Sequence, residues 1–132
     1  MYKRQLAYSP LDQGATTGKY DEQYLPKDKV RRVSFTFTPT NMKRIKPLIG
    51  MINEIAKTHD VEPVNVVLRY IINKGAVPIV GVKKQEHVES LVRTFEFNLS
   101  EREMKSIDFI SAKIKIAKLR AFPSLLKRLV RP

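Results

Sequence analysis

The chain has 132 residues, 42% of them hydrophobic, with no cysteine and a formal net charge of +12. That is enough for one domain with a core. It excludes wholesale disorder, disulfides and thiolate metal sites, and no metal site is expected. No apolar run approaches the roughly 20 residues of a membrane span and no signal-peptide pattern opens the chain, so a cytoplasmic protein is expected. The charge invites a nucleic-acid reading, but it sits at the ends. Seven basic residues and no acidic one lie between Lys113 and Pro132, and Lys3 and Arg4 add to the other end. No nucleic-acid partner is therefore expected of the domain.

In chain order, Met1-Tyr2-Lys3-Arg4-Gln5 resembles the translation of a transposase adapter used in shotgun DNA sequencing. Residues 1–5 are thus expected to be a sequencing scar, with the natural protein continuing upstream. Leu6-Ala7-Tyr8-Ser9 is a short apolar run stopped by Pro10, which reads as a strand leading into a loop. Gly14 and Gly18 keep the next stretch irregular, and no period holds from Asp21 to Thr40. Val33 to Phe37 alternates like a strand but is read as loop. A loop of this length is either functional or a sign of misreading.

After Pro47, Leu48, Ile49, Ile52, Ile55 and Ala56 recur at helical spacing, and the helix should stop near His59-Asp60. His59 has no visible partner and is read as structural. Pro63 suits the first position of a second helix with Val64, Val67, Leu68 and Ile71 on its buried side and Gly75 just past its end. Glu62 is a weak cap for it. Ala76-Val77-Pro78-Ile79-Val80 reads as a strand buried on both faces, with Pro78 near its start. A short helix from Gln85 carries Val88, Leu91 and Val92. Ser100-Glu101-Arg102-Glu103 is a capping box that opens a last helix with Met104, Ile107 and Ile110 inward. Strands separated by helices imply an α/β fold with a parallel sheet.

Two segments carry a family resemblance. Leu6-Ala7-Tyr8-Ser9-Pro10-Leu11, with Gly14 and Thr17-Gly18-Lys19-Tyr20, is similar to the seventh barrel strand and following loop of aldo-keto reductases. Val77-Pro78-Ile79-Val80-Gly81-Val82-Lys83, with Glu86-His87-Val88-Glu89, resembles the family's eighth strand and cofactor loop. Ile55-Ala56, the helix from Pro63 to Gly75 and Asn98-Leu99-Ser100-Glu101 match the intervening and following pattern. Each motif alone is weak. Their order and spacing together are a strong signal, covering Leu6 to Asp108.

The resemblance implies the last part of a (β/α)8 barrel, its seventh and eighth strands with their helices plus carboxyl-terminal helices, over residues 6–112. It also implies an oxidoreductase that uses NADP(H) to reduce a small-molecule carbonyl. Tyr8 would lie against the nicotinamide ring. Ser9, Pro10 and Leu11 would wrap the pyrophosphate, and Gly81 and Val82 would approach the adenosine side through their backbone. Lys83, followed by Lys84, would pair with the 2′-phosphate, although two solvated surface lysines would read the same way. His87 stands where the family usually has glutamine or arginine, and it could still donate to that phosphate. Leu91 stands where an asparagine usually contacts the adenine, a hydrogen bond that leucine cannot make.

No catalytic residue is assigned. The family's tyrosine acid and its lysine, aspartate and histidine partners come from earlier strands, so Tyr2, Tyr20, Tyr24 and Tyr70 are not substitutes. The chain alone is expected to be inactive and, with two strands carrying unpaired edges, marginal or aggregation-prone.

Two other readings compete. Leu48 to Thr58 and Pro63 to Lys74 could form a basic helix-turn-helix, though the second helix offers only Arg69 and Lys74 as cations. Residues 113–132, where Ile114, Ile116, Leu119, Phe122, Leu125, Leu126, Leu129 and Val130 alternate with cations, read as a basic amphipathic tail. It could touch a membrane surface or shape a substrate pocket.

Overall fold

The computed structural model describes residues 5–117, apart from the side chains of Lys29 and Arg32. Of the scar expected at residues 1–5, residues 1–4 lie outside them and Gln5 lies in the first strand, and most of the basic tail also lies outside them. The elements are β1 (Gln5–Tyr8), a 3-10 segment (Asp12–Thr17), α1 (Lys29–Arg32), α2 (Pro39–Thr58), α3 (Pro63–Asn73), β2 (Ala76–Ile79), α4 (Gln85–Val92), a 3-10 turn (Arg93–Phe95) and α5 (Glu101–Lys113). The two strands pair in parallel, with Gln5 opposite Ala76 and Tyr8 opposite Ile79. Parallel neighbours need a crossover, and α2 and α3 provide it. The α/β class holds.

The helix expected after Pro47 begins at Pro39, so that reading is corrected. Thr38 caps it, its hydroxyl accepting from the Asn41 N–H at 3.4 Å, and Pro39 fills the first position. Pro47 is tolerated mid-helix on the exposed side. Its missing N–H leaves the Lys43 carbonyl without the usual helical donor.

The long segment before α2 is also not the structureless loop its lack of period suggested. Ala15, Tyr20, Phe37, Met42 and Ile45 form a buried cluster of their own, with Tyr20 and Phe37 edge-to-face at 5.3 Å. Ile114 packs against this cluster. Beside it Asn41 accepts from the Ala117 N–H at 2.9 Å and donates to the Phe35 carbonyl at 2.8 Å. The chain leaving α5 is thereby strapped across the start of α2.

A second cluster, Ile52, Ile55, Ala56, Val66, Leu99 and Ile107, joins α2, α3 and α5. On α3 the residues buried most are Asn65, Val66 and Leu68, whereas Val64, Val67 and Ile71 are half-buried. Gly75 adopts φ +82°, the left-handed conformation that ends α3 without a Cβ penalty. The capping box at Ser100 forms as expected, with the Ser100 N–H donating to Glu103 Oε2 at 2.7 Å. His59 does have a partner. Its Nε2 lies 2.8 Å from Glu103 Oε1.

The second strand is not buried on both faces, which corrects another expectation. Leu6 (67% exposed), Tyr8 (88%), Val77 (42%) and Ile79 (49%) lie in alternation on one open face of the sheet. Ala7, Ala76 and Pro78 are half-buried on the other. No helix among the described residues is long and apolar enough to cross a membrane.

Candidate functional site

An open cleft of about 700 Å³ lies beyond the carboxyl ends of the two strands. Its floor is the end of β2, Ile79-Val80-Gly81. One wall is the loop after β1, contributing Ser9, Pro10, Leu11, Gln13, Gly14, Thr17 and Lys19, with Arg31 reaching in from α1. The other wall is the start of α3 (Glu62, Pro63, Val64) and the inner face of α4 (Glu86, His87, Ser90, Leu91).

The first wall is tightly wound. Ser9, Asp12, Gln13 and Gly14 all have positive φ, three of them without the freedom of glycine. Hydrogen bonds hold this conformation. The Asp12 N–H donates to the Ser9 carbonyl and the Gly14 N–H to the Leu11 carbonyl, both at 2.9 Å. Thr16 and Thr17 add side-chain bonds to the Leu11 and Gly14 carbonyls at 3.2 and 2.8 Å. Arg31 locks the loop to α1, its Nε donating to the Gln13 carbonyl at 2.9 Å. The same guanidinium meets Asp28 Oδ2 at 3.1 Å. The Arg31 backbone N–H, followed by that guanidinium, outweighs desolvation and holds the Asp28 carboxyl below its ordinary range.

The second wall hangs on one buried amide. Asn65 Oδ1 accepts from the Glu62 N–H at 3.0 Å, and its Nδ2 donates to the Ser90 carbonyl at 2.8 Å and to Thr94 Oγ1 at 3.0 Å. The weak cap at Glu62 is thus compensated from within the helix. The amino end of α4 receives no side-chain cap, so its first N–H groups remain an electropositive edge beside the cleft.

Of the residues picked out in the sequence, Ser9, Pro10, Leu11, Gly81 and His87 meet in this cleft. Tyr8 lies on the bare sheet face, outside the cleft lining. Val82, Lys83 and Lys84 are exposed on the segment leading from Gly81 into α4 and border the cleft without lining it. Gly81 has open space where a Cβ would stand, so nothing in the protein itself demands glycine there. Sequence reasoning missed Lys19, Arg31, Gln13 and Asn65. Lys19 was within reach, since it belongs to the Thr17-Gly18-Lys19-Tyr20 motif. Arg31 and Asn65 act through folding of segments that carried no period or only an apolar one.

The helix-turn-helix alternative finds no support. Lys74 is paired with Asp108 at 2.7 Å and Arg69 is half-buried, which leaves α3 no free cationic face for a nucleic acid.

The family model described as "Aldo/keto reductase family" matches residues 3–112. The uncharacterized oxidoreductase Rv2298 of Mycobacterium tuberculosis is 34% identical over 103 residues, covering 77% of this chain and 32% of the relative. The chloroplastic pyridoxal reductase of Arabidopsis thaliana is 31% identical over 106 residues, 80% of this chain and 28% of that protein. Aldo-keto reductase str7 of Strobilurus tenacellus is 30% identical over 106 residues, with 77% and 31% covered. The chain therefore spans about a third of the length of these relatives. The matched residues extend from β1 into α5 and take in both walls of the cleft: the chain belongs to the aldo/keto reductase family.

Proposed function

We propose that the chain is the carboxyl-terminal part of an NADP-dependent aldo-keto reductase and that its cleft takes the diphosphate and adenosine end of the cofactor. The observation that carries this reading is the convergence of the wound loop after β1, the cation Lys19, and the uncapped start of α4 at the carboxyl ends of parallel strands. Ligands of α/β proteins bind at such ends, where loops and helix amino termini converge.

The residues present fit the group. Lys19 offers positive charge on the loop side, and Arg31, paired with Asp28, holds the positive-φ turn that faces the cleft. Lys83, Lys84 and the first turn of α4, including His87, would meet a 2′-phosphate at the other end. Leu91 offers the adenine an apolar contact in place of a hydrogen bond. Glu62 and Glu86 also line the cleft, so the phosphates belong on the side away from them. Tyr8, on the open sheet face, would stack on a nicotinamide only when further strands stand opposite. The bare row of Leu6, Tyr8, Val77 and Ile79 has the alternation of a barrel interior, in keeping with the last two strands of a (β/α)8 barrel.

When bound, the cofactor supplies a hydride for a small-molecule carbonyl. This chain's share is to bind and orient it, and no residue here is assigned the proton transfer. Tyr70, bonded to Asp108, has its hydroxyl pushed up to about 12, away from the range useful to an acid at neutral pH.

Binding of 2′,5′-ADP to the chain, followed by amide chemical shifts, tests the reading. Perturbations confined to Ser9–Lys19, Gly81–Leu91 and Arg31 are expected, and purified chain should turn over no aldehyde or ketone with NADPH. Absence of binding at millimolar ligand, or shifts scattered away from the cleft, would refute the cofactor assignment.

A further inference from the structure

We infer that Asn65 is a positioning residue for the adenosine side of the cleft, holding α4 in place so that its inner face can serve as a wall. The inference rests on the cofactor reading above and names how one half of that site is built.

The argument begins with how weakly α4 is otherwise attached. None of its side chains is buried, and Val88 and Val92 are about half exposed. A helix of eight residues whose best-covered apolar side chain, Leu91, is only half-buried has little intrinsic stability. Yet its residues His87 and Leu91 make up much of one wall. Something else must fix it.

Asn65 is the buried fixture, beside an exposed bond from Arg93, the residue that ends α4, to the Asp60 carbonyl. It is fully buried in the first turn of α3, and its amide is satisfied on three sides. Its oxygen accepts from the N–H of Glu62, itself a cleft residue. Its nitrogen reaches across to the Ser90 carbonyl, near the end of α4, and to the buried Thr94 hydroxyl one turn later. One planar group thus sets the spacing between the two elements of the second wall. Inside the protein such bonds are costly to leave unmade, which makes the arrangement specific rather than merely adhesive. The first wall has separate supports, Arg31 on Gln13 and the turn bonds of residues 9–17. The two walls should therefore respond differently to loss of the amide.

Pyrophosphate and 2′,5′-ADP distinguish them, because pyrophosphate needs only the loop and 2′,5′-ADP spans both walls. In the intact chain, Asn65→Ala is expected to weaken 2′,5′-ADP by about tenfold or more, the equivalent of one buried hydrogen bond or two, and to change pyrophosphate affinity less than about twofold. Thr94→Val, which removes one acceptor at nearly constant volume, keeps the test usable should Asn65→Ala fold poorly. It should show the same selectivity at smaller size. Amide exchange in Glu86–Val92 should quicken in both variants while α2 and α5 stay protected. Equal losses for both ligands, or none for either, with α4 exchange unchanged, would overturn the role of Asn65. Wild-type chain that binds neither ligand would overturn the cofactor reading itself, whatever the exchange rates show.

Discussion

His59 Nε2 and Glu103 Oε1 lie 2.8 Å apart, so the residue that ends α2 is bonded to the residue that caps α5. Phe97 packs on the His59 ring with centroids 4.9 Å apart, which shelters the pair without sealing it. Glu103 therefore serves two helices at once. Its other oxygen accepts from the Ser100 N–H and hydroxyl, both at 2.7 Å.

Burial pushes the Glu103 carboxyl upward, but the bonds from Ser100 and then His59 outweigh it and hold the group below its ordinary value of 4.5. A depressed folded-state value means stability that is present above the unfolded value and lost as pH falls through the folded one. Glu103→Gln keeps an amide oxygen for the capping box but loses the charge, and should therefore cost about 1 kcal/mol near neutral pH, the margin of a charge-assisted over a neutral hydrogen bond. The difference from wild type should shrink as pH falls below about 4.5. Urea unfolding at several pH values measures this. A difference that stays constant down to pH 3 would show that the charge of Glu103 does not carry the effect.

Tyr70 gives the opposite pH dependence. Burial, followed by the hydrogen bond to Asp108 and its charge, raises the phenol from 10.0 to about 12. A raised folded-state value means the contribution is full below pH 10 and lost as pH rises through 12. Tyr70→Phe is expected to destabilise by about 1 kcal/mol at neutral pH, and the two proteins should converge in strong alkali. In Asp108→Asn the tyrosinate band of Tyr70 should appear at lower pH than in wild type. No movement of that band would mean the Asp108 bond does not govern the phenol.

Pro47 is the clearest local conflict in the chain. It sits inside α2 on the exposed side, where alanine is better by about 3 kcal/mol in a helix interior. Pro47→Ala should restore the bond to the Lys43 carbonyl and raise the unfolding free energy by roughly 1–3 kcal/mol. A destabilised variant would mean the proline's ring packs usefully against something that the helix alone does not require.

The same proline explains where the sequence could not be read. A proline followed by Leu48, Ile49 and Ile52 looks like a helix start, and the true start at Thr38-Pro39 lay in a stretch without period. The stretch after it, Thr40 to Lys46, mixes cations with Met42 and Ile45. Those two apolar residues face the Tyr20–Phe37 cluster, a tertiary partner that no local pattern announces. The strands, α3, α4 and α5 were legible because short apolar runs, Pro63, Gly75 and the Ser100 box are signals that act within a few residues. Burial of β2 was misjudged for a different reason. A continuous apolar run reports what a strand is suited to, and here Val77 and Ile79 face open space. The cleft divides likewise. Ser9, Pro10, Leu11, Gly81 and His87 came from motifs, whereas Arg31 and Asn65 gain their positions only when separate elements meet.

The last prediction separates the two cationic groups beside the cleft. Lys19 lines it next to the wound loop, while Lys83 is exposed on the segment between Gly81 and α4. If the diphosphate lies at the loop and the 2′-phosphate at the start of α4, the two lysines read different parts of the ligand. Lys83→Ala should then weaken 2′,5′-ADP by roughly tenfold, the low end for a charge-assisted bond at an exposed site, and leave ADP within about twofold. Lys19→Ala should weaken both ligands alike. Lys84→Ala should do less than Lys83→Ala, since the next side chain along an extended segment points to the other side. The attraction is one of exposed charges, so each effect should fade as salt is raised beyond physiological strength. Titration calorimetry with the two nucleotides on the three variants gives the ratios directly. Equal losses of 2′,5′-ADP and ADP in Lys83→Ala, or no loss of either, would return Lys83 to the solvated surface and leave any NADP preference to another residue.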